Sequence, residues 1–66
     1  MSEIEFVYAT IKKINAKLPV SPNDIITAQA HLQNMIMNEQ YPGSKAEAKR
    51  IGALLSKALS KALSKH

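Results

Sequence analysis

The sequence predicts an all-α fold: one domain built as a three-helix up-down-up bundle that self-associates. Three observations carry this. Apolar residues recur at helical spacing through three segments. A serine that can cap a helix opens each segment, and Pro19, Pro22 and Pro42-Gly43 punctuate the chain between them. The links are short enough to make consecutive helices antiparallel neighbours. The helices are expected at about 3–18, 22–40 and 44–64.

Composition sets the limits. A chain of 66 residues is one domain. At that size only about 60% of the unfolded surface is buried, so stability is marginal. Small domains usually add disulfides, metal or self-association. With no cysteine, disulfides and thiolate metal sites are excluded. That leaves well-packed helices or an oligomer, and a homodimer is the expectation. No apolar run approaches the roughly 20 residues that span a bilayer. The opening MSEIEF is acidic and does not read as a secretory signal, so the cytoplasm is the expected location. A pI near 9.6 and a net charge of +4 fit a polyanionic partner, but domains dedicated to nucleic acid carry a denser patch.

The first helix opens with Ser2-Glu3-Ile4-Glu5, a capping box. Ile4, Val7, Ile11, Ile14 and Leu18 alternate three- and four-residue spacing, a heptad seam too short for a free coiled coil but sufficient for one helix of a bundle. Phe6 falls on the opposite side, nearest Lys13 and Lys17. It either folds over a neighbouring helix or anchors a partner, since aromatics dominate interface energetics.

The second helix starts with Ser21 as N-cap, Pro22 at the first helical position and Asp24 at the third. The helix dipole accounts for Asp24. Val20 is placed to staple onto Ile25 or Ile26. From Ile25 to Asn38 there is no Lys, Arg, Asp or Glu. Two apolar stripes coexist there. One holds Ile25, Ala28, Leu32, Met35 and Ile36; the other holds Ile26, Ala30, Met37 and Tyr41. A helix with two apolar faces belongs in the centre, between its neighbours or between a neighbour and a second subunit. Phe6, Ile26, Ala30, Met37 and Tyr41 are therefore the candidate protein-interface residues, with methionine as an adaptable contact. His31 has no ligand partner at three or four residues' distance, so it reads as a surface or interface residue rather than a metal ligand. At a dimer contact it would make association depend on pH.

The third helix opens with Ser44-Lys45-Ala46-Glu47, again a capping box. Ala48, Ile51, Leu54, Leu55, Ala58, Leu59 and Ala62 fall in one arc at about 100° per residue. Arg50, Lys57 and Lys61 face the other way, with Lys45 and Lys49 on the flank. Lys57, Lys61 and Lys65 stand four apart, and each such step turns the stripe by about 40°. Leu63 thereby drifts off the core arc; the last turn is expected to fray, or Leu63 to touch something outside the monomer. Gly52 costs this helix about 1 kcal/mol relative to alanine, which predicts a close contact there, against Ala28 or Tyr8.

From Pro42 to His66, six cationic residues against one acidic residue give a local charge of +5. The plain reading is a solvated face. The alternative is phosphate contact through Lys45, Lys49, Arg50, Lys57, Lys61 and Lys65. The short Gly-containing turn before this helix invites a helix-turn-helix comparison, but the would-be recognition helix lacks the side chains that read base edges. No Trp or Phe backs the lysines, which disfavours a membrane surface.

No Gly-rich phosphate loop, paired-carboxylate cleft or nucleophilic triad is present. No catalytic, cofactor or metal site is expected. The expected function is that of a small, non-catalytic interaction or regulatory protein, of the accessory kind found in bacteria and phages, binding a protein partner through an apolar helix face. Nucleic-acid binding through the lysine-rich third helix is the alternative.

Overall fold

Ser2, Ser21 and Ser44 each begin a helix by the same bond. Their Oγ atoms accept from the backbone N–H groups of Glu5 (3.3 Å), Asp24 (3.2 Å) and Glu47 (3.1 Å). The computed structural model describes residues 2–64, and within them three α-helices follow in order: α1 (Glu3–Asn15), α2 (Pro22–Met37) and α3 (Lys45–Leu63). They pack against one another as an all-α three-helix bundle.

The expected starts hold, but α1 and α2 stop three residues earlier than expected. Both end in a Schellman turn without glycine. After α1, the N–H of Lys17 donates to the carbonyl of Ile14 and that of Leu18 to Lys13 (3.0 and 2.9 Å). After α2, Glu39 donates to Ile36 and Gln40 to Met35 (3.2 and 2.8 Å). Lys17 and Glu39 adopt the left-handed conformation these turns need, at φ 60° and 56°. Pro19 disfavours helical geometry at Leu18, so the chain turns before reaching it. Leu18 therefore leaves the α1 seam and is 55% exposed.

Contacts across the bundle fix its direction. Glu3 and Phe6 meet His31, while Ile14 and Ile25 share a lining at the other end, so α1 and α2 are antiparallel. Gln29 Nε2 donates to Ser56 Oγ at 3.2 Å, and Ile25 lies beside Ala58, so α2 and α3 are antiparallel too. α2 is central, with α1 and α3 touching each other less.

One face of α2 supplies the core. Ile25, Ala28, Leu32 and Met35 are buried with Val7 of α1 and Ile51 and Leu55 of α3. Thr10 is buried as well; its hydroxyl donates back to the Phe6 carbonyl at 2.9 Å, which satisfies it inside the helix. Ala48 completes the buried side of α3, with Ala58, Leu59 and Ala62 half-buried against the core. Ile36, assigned by spacing to the core stripe, sits at its edge and is 44% exposed.

Gly52 does not mark a close approach to Ala28 or Tyr8. A methyl group built on it would meet only Leu32 Cδ2, at 3.8 Å, an ordinary van der Waals distance. The glycine thus weakens α3 without a packing return. Gly52→Ala should stabilise the fold by about 1 kcal/mol, raising Tm by about 4–8 °C in thermal unfolding followed by circular dichroism. Lys17→Gly should also stabilise it, by about 0.5–1 kcal/mol, because relief of the left-handed strain exceeds glycine's entropic cost. Chemical denaturation of the two variants beside the parent checks both values.

Candidate interaction surface

The five interface candidates separate into three environments. Ile26, Ala30 and Met37 lie together on the outer face of α2, with Ile26 50% and Met37 75% exposed. Gln33 completes a stripe at positions i, i+4, i+7 and i+11, which stays on one side of a helix. Asn34 and Asn38 lie beside it, joined by a side-chain hydrogen bond of 3.1 Å. The stripe is therefore apolar or amide throughout.

Phe6 is half-buried and points away from that stripe, toward the α1–α2 seam. Its ring meets His31 edge-on, with centroids 5.7 Å apart and planes at 78°. His31 is itself half-buried, and its Nδ1 is 3.6 Å from Glu3 Oε2. Phe6 and His31 thus close the first turns of α1 over α2. The helical wheel of α1 alone could not show this, because the partner comes from another helix.

Tyr41 leaves the α2 stripe altogether, since the chain has turned at Glu39 before reaching it. It packs on the core beside Tyr8 and Glu47, and among the described residues its buried hydroxyl makes no hydrogen bond of good geometry, although the polar groups of Tyr8 and Glu47 are its neighbours. Burial pushes the phenol's pKa up, and the neighbouring Tyr8 and Glu47 push the same way. Gly43 makes the arrangement possible: a methyl group there would lie 2.7 Å from the Tyr41 ring and 2.5 Å from a Glu47 oxygen.

Lys45, Lys49, Arg50, Lys57 and Lys61 are all exposed. Among the described residues no lysine or arginine pairs with a carboxylate. Lys65, the sixth candidate, lies outside the described residues, as does His66. On α3 the cations divide: Arg50, Lys57 and Lys61 share one side, while Lys45 and Lys49 lie roughly 100° around the axis.

Spacing alone missed one residue that joins this set. Lys17, held by the left-handed turn after α1, lines a cavity of about 760 Å³ together with Lys57 and Lys61. Pro19 was the available signal, since it forces the chain to turn just after Lys17. Among the described residues no three metal-ligating side chains converge, and no helix is long and apolar enough to cross a membrane. Comparison with protein-family models, curated proteins and solved structures gives no match.

Removing the unpaired hydroxyl with Tyr41→Phe should stabilise the protein by about 1 kcal/mol near neutral pH. Burial raises the phenol's pKa on folding, so above the free phenol's 10.0 the unfolded chain ionises first and stability falls as pH rises. The parent should therefore lose stability more steeply above pH 10.0 than the Phe variant does. Urea unfolding of both proteins across that range measures the difference.

Proposed function

We propose that this chain is a small, non-catalytic cytoplasmic interaction protein that engages a protein partner through the outer face of α2. The observation behind this is the Ile26–Ala30–Gln33–Met37 stripe, exposed on a helix that carries no charge from Ile25 to Asn38. Helices of globular proteins normally turn charge outward. Here the outward face has none.

A second copy of the chain is the partner this face suits best. Two molecules of net charge +4 repel as wholes, and a contact made by charge-free faces adds no close like-charge pair. The small Ala30 lets two α2 helices approach closely, and Met37 adapts to the facing surface. The stripe spans about 16 Å along the helix, which suits a modest-affinity dimer rather than an obligate one.

Sedimentation velocity from low to high micromolar concentration should show a monomer–dimer equilibrium. Met37→Glu, at a position already exposed, should leave the helical signal intact and give a monomer throughout. A parent chain that stays monomeric at high micromolar concentration rules out the dimer. A dimer untouched by Met37→Glu rules out this face.

The alternative reading, nucleic-acid binding through α3, draws support from the exposed and unpaired cations of that helix. Such contact would be to the backbone and weakly sequence-selective. Its affinity for mixed DNA and RNA should fall steeply with salt. Lys57→Gln with Lys61→Gln should weaken it and leave any α2 dimer in place.

A further inference from the structure

α3 outruns α1. With 19 residues against 13, it is longer by about 9 Å. Its last turns face the start of α2 on one side and, on the other, the α1–α2 link together with Ile14 from the end of α1. This leaves an open groove of about 760 Å³. Leu18 and Val20 of the link, the buried Ile25 of α2, and Leu54 and Ala58 of α3 line it. Among the described residues, the charged ones lining it are Lys17, Lys57 and Lys61.

The geometry points to this groove as the seat for an amphipathic helix of an acidic partner protein, with carboxylates along the edges of its apolar face. Three features select that occupant. The groove is partly open to solvent, whereas small-molecule sites enclose most of their ligand; an apolar groove beside helices is what helix-in-groove recognition uses. Among the described residues the rim is cationic with no carboxylate lining it, so acidic flanks gain and basic flanks are repelled. A second copy of this chain does not supply such a helix. Its five acidic residues are scattered, with only Glu3, Glu5, Asp24 and Glu47 in helical first turns, and α3 is cationic.

The site is distinct from the outer face of α2, and the two readings fail separately. The probe is a designed helical peptide with leucines at i, i+3, i+4 and i+7 flanked by glutamates, beside a twin in which every glutamate is lysine. Each is titrated into the full isotope-labelled chain and followed by backbone amide shifts. The glutamate peptide should shift Leu18, Val20, Leu54 and Ala58 and bind at least tenfold tighter than its twin. Lys57→Gln with Lys61→Gln should weaken it at least tenfold, and Met37→Glu should leave it unchanged.

Equal binding of the two peptides overturns the acidic assignment. Absence of shifts at the groove residues, or shifts confined to Ile26 and Met37, overturns the site. Tighter binding to phosphatidylserine vesicles or to DNA than to the glutamate peptide overturns the occupant in favour of a membrane surface or a nucleic acid.

Discussion

Burial of one side of α2 between two partners is the constraint on which the rest of this structure depends. The chain has no cysteine, and a domain of this length keeps only a few kcal/mol in reserve. Leu32 and Ile25 of α2, Leu55 of α3 and Val7 of α1 therefore carry a large share of the stability. Each buried aliphatic side chain contributes about 1.5–3 kcal/mol. With the inner face of α2 committed this way, its neighbours must lie on the two flanks of that face. His31 marks the α1 flank and Gln29 the α3 flank. The outer stripe has no place left to be covered within the monomer.

That division explains what was legible in the sequence. Helix starts were, because serine capping is chemistry local to three or four residues, and Ser2, Ser21 and Ser44 all perform it. The core was, because three-and-four spacing separates Ile25, Ala28, Leu32 and Met35 from the stripe beside them. Helix ends were not. A Schellman turn is usually announced by glycine, and here Lys17 and Glu39 take its place. The positions after those turns were accordingly misplaced: Leu18 from the core seam and Tyr41 from the outer stripe.

The candidate surface was legible to the same degree and for the same reason. Ile26, Ala30 and Met37 share a face because they share a helix. Phe6 needed His31 from another helix, and Lys17 needed Lys57 and Lys61 from another. Contacts between residues distant in sequence follow from how helices end and how far they run, and periodicity is silent on both. Gly52 teaches the converse. Its cost to α3 is intrinsic, yet its neighbourhood has room for a methyl group, so a glycine in a helix is not by itself evidence of a tight crossing.

An odd number of antiparallel helices has one further effect. Two C-termini and one N-terminus share an end of the bundle, and side chains that suit helix dipoles sort accordingly. Lys12, Lys13 and Lys17 gather with Lys57 and Lys61 near one end, where Asp24 is the acidic residue. Glu3, Glu5, Glu39 and Glu47 gather at the other, beside Lys45, Lys49 and Arg50. Among the described side chains the groove end is thus the more positive of the two. In an external field of negative charge it turns before it touches, presenting the groove end first. Orientation would precede contact, at a rate that salt can tune.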